Sequence, residues 1–171
     1  SHQPIEQINS LRLIPNLTVF RPCNISEMIV AFEYAVKSKD HPTCIITSRQ
    51  AFANYYSKNN LELKRGGYVF SDELKPDAIL IATGSEVALA MEVKEELKNV
   101  YHLKIKVVSF NSMEVFNEQP LSYQQQVLNL DPAQIFSLEM GSTGLWYKYA
   151  KHPIGIDTFG KSGKQVDVLN H

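Results

Sequence analysis

The sequence AILIATGSEVALAM, residues 78–91, changes its hydrophobic pattern across a single turn. Residues 78–82 form an uninterrupted apolar run, the pattern of a buried strand, and Thr83-Gly84 follows as the turn. Over residues 85–99 the apolar side chains recur at helical spacing, which predicts a helix. A buried strand that leads directly into an amphipathic helix is typical of an α/β domain with a parallel sheet.

The same alternation continues toward the carboxyl terminus. The pattern predicts strands at 104–110 and 133–138, and short helices at 120–128 and 144–150. We therefore expect a smaller three-layer α/β domain over residues 78–171, whose last helix is cut short.

A second strand–helix–strand pattern lies upstream. Residues 17–20 and 43–47 predict buried strands, and between them Asn24 and Glu27 have the spacing of a helix N-terminus. The apolar residues of this helix share one face; they are Ile25, Met28, Ile29, Phe32, Ala35 and Val36. The order of elements predicts a βαβ unit, and with it a parallel sheet.

The two patterns divide the chain. Residues 1–55 are predicted to be the end of a partial three-layer domain with a parallel sheet. In residues 56–77 Asn, Gly and Pro interrupt any period, apart from one short strand pattern at 67–70, so this segment is predicted to connect two domains. The fold class is therefore α/β throughout.

Composition excludes several classes of protein. Lys and Arg number 17 against 18 Asp and Glu, so the chain offers no broad basic field for nucleic acid. Hydrophobic residues make up 44% of the chain, too many for an intrinsically disordered one, and no apolar run approaches the ~20 residues of a membrane span. Cys23 and Cys44 are too few for a disulfide framework, so we expect reduced cysteines and a cytoplasmic protein.

Two residues are candidates for contact with a substrate. Arg49 follows the predicted strand 43–47, at the sheet edge where α/β domains bind ligands, and its guanidinium suits a two-point contact with phosphate. The alternative is a surface arginine paired with a carboxylate. His2 precedes a predicted helix start, whose dipole favours a neutral imidazole that can hydrogen-bond an oxygen-rich substrate. The alternative is a histidine that is only solvated.

Two further features have both a functional and an ordinary interpretation. The turn 83–86 offers free N–H groups that can bind an anion, or it is a plain strand-to-helix turn in which Ser85 caps the helix. The ordinary interpretation is favoured, because the turn lacks a phosphate-binding glycine motif. Trp146, Tyr147 and Tyr149 form an aromatic cluster that is predicted to belong to the core or a subunit interface.

A set of short motifs occurs here in the order found in transketolases, and the chain resembles that family over nearly its whole length. The motifs are SHQP at 1–4, PN at 15–16, RP at 21–22, SRQ at 48–50, GGYV at 66–69, ATGSEV at 82–87, YKY at 147–149, GIDTFG at 155–160 and SG at 162–163. One departure is Ser1, where the family usually has Thr. So many ordered motifs make the resemblance specific.

The resemblance implies a thiamine-diphosphate-dependent transferase that moves a two-carbon ketol unit between ketose and aldose phosphates in the pentose phosphate pathway. Transketolases act as homodimers and hold the cofactor with Mg²⁺ or Ca²⁺. Residues 1–55 then resemble the end of the pyrimidine-binding domain, and residues 78–171 resemble most of the C-terminal domain. His2 matches the family's catalytic histidine, which contacts donor-sugar oxygens, and Arg49 matches the arginine that binds the sugar phosphate.

The resemblance also implies what this chain lacks. The family's cofactor-activating Glu and its metal ligands have no counterpart in the sequence, so no cofactor-binding or metal-binding residue is assigned. The chain alone is expected to bind no thiamine diphosphate and to be inactive. Two other functions remain open: a non-catalytic α/β dimerisation or interaction module, and a small anion-binding domain that uses the turn 83–86.

Overall fold

The computed structural model describes residues 5–49, 51, 53–56 and 62–160. The α-helices in these ranges are α1 (Gln7–Arg12), α2 (Ile25–Lys37), α3 (Glu86–Tyr101), α4 (Met113–Asn117) and α5 (Leu121–Val127). The strands are β1 (Thr18–Phe20), β2 (Thr43–Ile45), β3 (Gly67–Ser71), β4 (Ala78–Ala82), β5 (Ile105–Phe110), β6 (Ile135–Leu138) and β7 (His152–Ile154). Short 3₁₀ helices lie at Leu63–Arg65, Pro132–Gln134 and Gly144–Lys148. Over this part of the chain, no helix has the length and apolarity needed to cross a bilayer.

Within the described ranges the first sheet consists of β1 and β2. The two strands pair in parallel, from Thr18 opposite Thr43 to Phe20 opposite Ile45, and α2 connects them, which confirms the predicted βαβ unit. β2 is shorter than the predicted strand 43–47 and only half-buried. The reason is its place in a two-stranded sheet, where one edge and part of each face stay open.

The second helix begins where the sequence predicts. The Asn24 side chain accepts a hydrogen bond from the Glu27 N–H at 2.9 Å, which satisfies a free donor of the first turn. The predicted apolar face points outward, however, and its four most exposed members are Ile25, Ile29, Phe32 and Val36. Glu27, Val30 and Ala31 are the buried side chains of the helix. Helical periodicity locates an apolar stripe but does not reveal which layer covers it.

The described part of the second sheet has five strands in the order β3-β5-β4-β6-β7. β3 pairs antiparallel with β5, and every other pair is parallel. β3 lies inside the segment 56–77 that was predicted as a connector, so this sheet begins before residue 78. β7 was not predicted at all. Pro153 interrupts its pattern, and an edge strand tolerates this proline because it need not donate there.

The sides of the second sheet carry separate hydrophobic clusters. Along β4, Ile79 and Ile81 pack on one face while Leu80 and Ala82 pack on the other, as the two-residue period of a strand requires. Side chains of α4, α5 and the 144–148 segment cover the first face. Side chains of α3, together with Val30 of α2, cover the second. The predicted three-layer α/β architecture is confirmed for this unit.

The aromatic cluster belongs to the core, as the sequence indicates. Trp146 is 1% exposed and lies 5.9 Å from the Phe110 ring, and Tyr149 packs edge-on against Phe110. Tyr147 points outward. The segment predicted as a helix at 144–150 is a 3₁₀ helix instead, which places Trp146 and Tyr149 three residues apart on one side.

Candidate functional site

Arg49 lies four residues beyond the carboxyl end of β2. Between β2 and Arg49, the Ile46 N–H still donates a hydrogen bond to the Phe20 carbonyl of β1 at 2.8 Å. The Arg49 side chain is exposed, and no described residue accepts a hydrogen bond from it or pairs with its charge. Its role in phosphate binding stays a prediction. His2, the other candidate, lies outside the described residues.

Arg21 also follows a strand of this sheet, directly after β1. Unlike Arg49 it is buried, with Nη1 2.6 Å from Oε1 of Glu139 and Nη2 3.2 Å from Oε2 of Glu86. Because two carboxylates face this guanidinium, it is not available to an anionic ligand. Arg21 entered the sequence analysis only as part of the RP motif, with no role assigned to it, although both arginines follow a strand of the same parallel pair.

Glu139 is the centre of this charged network. Its carboxylate, 1% exposed, accepts two hydrogen bonds from Arg12 at 2.7 and 3.0 Å, one from Arg21, and one from the Trp146 indole at 2.7 Å. Burial alone acts to raise the pKa of Glu139, but the two guanidinium groups and the indole outweigh it and hold that pKa below its ordinary value. Glu139 is therefore a buried carboxylate whose lone pairs are well satisfied.

The turn 83–86 faces the same network. The Gly84 N–H donates to the Arg21 carbonyl at 3.0 Å, and a Cβ added at Gly84 would lie 3.4 Å from the Arg21 guanidinium. Burial raises the pKa of Glu86 even though Arg21 opposes it. The space outside this turn is thus filled by a cation paired with two acidic side chains, which favours the ordinary interpretation, and anion binding stays an untested alternative.

The ordinary interpretation of the turn needs one correction. Ser85 does not cap α3; its hydroxyl donates to Oε1 of Glu86 at 2.9 Å. Ser85 already has helical backbone angles, so its hydroxyl is not placed to accept from the first-turn N–H groups.

A second buried carboxylate joins α2 to the five-stranded sheet. Glu27 accepts hydrogen bonds from the Tyr68 hydroxyl at 2.8 Å, the Ser109 hydroxyl at 2.7 Å and the Cys23 N–H at 2.7 Å. No cation among the described residues faces it, and burial raises the pKa of Glu27. Burial and the nearby Glu27 also raise the pKa values of Cys23 and Tyr68, so Cys23 is an unreactive thiol.

The described residues provide no metal centre. No group of three or more His, Cys, Asp or Glu side chains in the described ranges is placed to hold an ion. The three buried carboxylates Glu27, Glu86 and Glu139 all face protein donors.

Comparison with known proteins identifies two matches along the chain. The family described as "Transketolase, pyrimidine binding domain" matches residues 1–54, and "Transketolase-like TK C-terminal domain" matches residues 66–171. Transketolase 2 of Vibrio parahaemolyticus is 42% identical over 168 residues, which cover 95% of this chain. Transketolase 1 of Saccharomyces cerevisiae is 40% identical over 169 residues, which cover 99% of it. The chain spans about a quarter of the length of these curated relatives.

Solved structures have the same fold. A transketolase of Pichia stipitis in complex with sedoheptulose-7-phosphate superposes with a TM-score of 0.92 at 34% identity, over 99% of this chain and 25% of that one. A protein described as a split-gene transketolase, an inactive beta4 tetramer, superposes with a TM-score of 0.77 over 99% of this chain and 57% of that one. Its identity is 18%, so it supports the fold alone.

Proposed function

The chain belongs to the transketolase family, and on that premise we propose that it forms the sugar-phosphate-binding part of a thiamine-diphosphate-dependent transketolase. The reaction is transfer of a two-carbon ketol unit from a ketose phosphate to an aldose phosphate, as in the pentose phosphate pathway. In this proposal the first sheet ends the pyrimidine-binding domain, and the C-terminal domain begins with β3. The complete enzyme is a cytoplasmic homodimer.

The observation that carries this proposal is the contrast between Arg49 and the two arginines on Glu139. Arg12 and Arg21 are buried and paired with that carboxylate, whereas Arg49 is exposed and has no partner in the described part of the chain. A guanidinium that is open to solvent can meet the two oxygens of a phosphate group without first breaking an ion pair. Arg49 therefore binds the substrate phosphate.

His2 acts at the other end of the sugar. A neutral imidazole donates or accepts one hydrogen bond, which suits the hydroxyl and carbonyl oxygens near the carbon–carbon bond that breaks. The motif SHQP supports this role, and residues 1–4 lie outside the described ranges.

The described residues do not fit the cofactor's metal and diphosphate. No cluster of metal ligands exists among them, and the buried carboxylates already face protein donors. We therefore propose that thiamine diphosphate and Mg²⁺ or Ca²⁺ are held by other parts of the full-length enzyme. Bound there, the cofactor would supply the nucleophilic carbon and the electron sink that this class of reaction needs. This chain contributes binding and orientation of the sugar.

The proposal is tested with the full-length polypeptide that contains this chain. Ketol transfer from a ketose phosphate to an aldose phosphate is measured with and without thiamine diphosphate and Mg²⁺. Turnover that requires both supports the proposal, and absence of transfer with any sugar phosphate rejects it. The chain alone, titrated with cofactor and Mg²⁺ in a calorimeter, is expected to give no heat of binding; micromolar affinity would contradict the assignment of the cofactor site to other segments.

One observation favours a second candidate, a non-catalytic interaction module. The outer face of α2 exposes Ile25, Ile29, Phe32 and Val36, and an apolar stripe of this kind marks a contact surface. Sedimentation of the chain measures whether it associates, which the interaction module requires. A folded chain that associates through this face, within a full-length protein that has no ketol transfer, would favour the interaction module.

A further inference from the structure

A buried lysine lies on β5, the strand between β3 and β4 in the second sheet. Lys106 is 3% exposed. Its two neighbours on β5, Ile105 and Val107, pack on the face that α3 covers, whereas Val108 and Phe110 pack on the opposite face. Because side chains alternate along a strand, Lys106 lies on the same face as Val108 and Phe110. A charged group at this position loses most of its hydration.

No carboxylate neutralises this lysine within the described part of the chain. The Nζ of Lys106 donates a hydrogen bond to Oδ1 of Asn129, just after α5, and it forms no ion pair there. Asp72, in the connection between β3 and β4, acts on the amine only from a longer range. Burial lowers the pKa of Lys106, although Asp72 opposes the shift. The ammonium form is therefore disfavoured, and the neutral amine has a lone pair with which to react.

Lys94 of α3 shows the other arrangement of a buried lysine. It is 4% exposed, its Nζ lies 2.9 Å from Oε1 of Glu73, and it donates to the Ser71 hydroxyl at 2.8 Å. The carboxylate stabilises the ammonium ion and accepts one of its protons. Lys94 and Lys106 are thus both buried in the second domain, but Lys94 has a carboxylate partner and Lys106 has only an amide.

Lys106 lines a cavity of about 770 Å³ at the edge of the sheet where the parallel strands begin. The segment 72–76 forms one wall, and Asn129 and Leu130 form another. Lys75 lines the same cavity but is exposed, with no hydrogen bond or ion pair in the described structure. An acetyl group adds only a carbonyl and a methyl group, so this cavity has room for one on Lys106.

We propose that Lys106 is a site of covalent acetylation whose donor is a small acyl phosphate. The neutral Nζ attacks the carbonyl carbon of the donor, and a C–N bond forms as the C–O bond to phosphate breaks. The phosphate leaves with that electron pair, and the proton lost from nitrogen passes to water. Lys75, an exposed cation on the same cavity, attracts the donor's phosphate.

The product suits the site better than the free lysine does. An amide is neutral, so it costs less to bury than an ammonium ion that has no counter-ion. It also keeps one N–H, which is the number of hydrogen bonds that Lys106 donates to Asn129. This inference does not depend on the proposed ketol transfer, because it uses neither Arg49 nor His2.

The experiment treats the natural full-length protein that contains this chain with acetyl phosphate, to a low extent of modification, at pH 7 and near pH 10. Mass spectrometry of the digested protein then measures the extent of acetylation at each lysine. Lys75 is the control for the cavity, and Lys94 is the control for burial. At pH 7, Lys106 is expected to react about threefold faster than Lys75 or more, and Lys94 slower than both. Near pH 10 the advantage over Lys75 should narrow, because the exposed amine also becomes neutral.

Two results would overturn the inference. Acetylation of Lys106 as slow as that of Lys94 would show that burial shields both amines from the donor. Acetylation of Lys106 no faster than that of Lys75 at pH 7 would show that the buried position does not activate the amine. Since the natural protein is used throughout, neither result can come from a variant that fails to fold.

Discussion

Arg21 and Glu139 are 118 residues apart in the chain, yet Nη1 of Arg21 lies 2.6 Å from Oε1 of Glu139. The arginine follows the first strand of the first sheet, and the glutamate follows the fourth strand of the second. Open parallel sheets bind ligands in the crevice at the carboxyl ends of their central strands. In this chain the crevice between β4 and β6 is occupied by the Arg21 side chain, which belongs to the neighbouring domain.

Removal of the shared carboxylate is expected to be strongly destabilising. Glu139→Ala leaves Arg12 and Arg21 buried with less compensation, which should lower the free energy of unfolding by about 3–5 kcal/mol. Urea unfolding of the chain measures this loss. Glu33→Ala is the control, because Glu33 pairs with Lys37 and Lys64 at the surface, where solvent screens the attraction, so its loss should be much smaller than that of Glu139→Ala. Equal losses for the two variants would show that the buried network contributes nothing special.

The pH dependence of stability should reveal Glu27. Its pKa is raised above the ordinary value of 4.5, so the folded state binds a proton more tightly than the unfolded state. Its contribution is therefore fully present below about pH 4.5 and is lost as the pH rises through the folded-state pKa. Glu27→Gln removes this titration, so the stability of the natural chain relative to the variant should fall from pH 5 to pH 8. Urea unfolding at several pH values tests this, and a constant difference would contradict it.

Arg49 should discriminate between sugars by their phosphate. In the full-length enzyme, Arg49→Ala is expected to lose about 2–3 kcal/mol of binding, or about 30- to 150-fold in kcat/KM, for phosphorylated substrates. The loss should appear mainly in KM, because a remote phosphate is held equally in the ground state and the transition state. Steady-state kinetics with a phosphorylated and an unphosphorylated acceptor measures it.

The control for Arg49 is Lys39→Ala. Lys39 is an exposed cation between α2 and β2, so it lies near the amino end of β2, away from Arg49. It should leave both acceptors unaffected. A loss for Arg49→Ala that is equal with the two acceptors would mean that Arg49 supports the fold or the cofactor site, and the phosphate role would be withdrawn.

The orientation of α2 also makes a prediction. Phe32 is 56% exposed and Val30 is 9% exposed, so truncation of the smaller side chain should cost more. Val30→Ala is expected to lower the free energy of unfolding by about 2 kcal/mol, and Phe32→Ala by about 0.5 kcal/mol or less. Chemical unfolding of the chain compares them. The opposite order would show that the apolar stripe is covered in solution.

Local patterns predicted the strand-and-helix order well. The run 78–82 and the Asn24 cap depend on neighbours in sequence, and both are seen in the structure. The patterns failed where the outcome depends on distant groups. Phe32 is exposed because α2 packs on the opposite side, through Glu27, Val30 and Ala31, and β7 forms because β6 offers it an edge.

The candidate site shows the same division. A strand followed by an arginine indicated Arg49, but the same signal did not tell that Arg21 meets Glu139, because that contact joins two sheets. An ion pair between residues 118 positions apart produces no periodic pattern or short motif that sequence analysis can detect. Motif resemblance supplied His2, and no residue pattern near it reports the contact between Asn9 and Ser142.

The network around Glu139 sets a rule for hybrids between relatives. A crossover between residues 54 and 66, where the matched families meet, takes Arg12 and Arg21 from one parent and Glu86 and Glu139 from the other. Such a hybrid inherits a balanced core only when both parents carry two cations on one side and two anions on the other. Whether two parents are compatible therefore depends mainly on these four buried charged side chains, and less on the sequence chosen between residues 54 and 66.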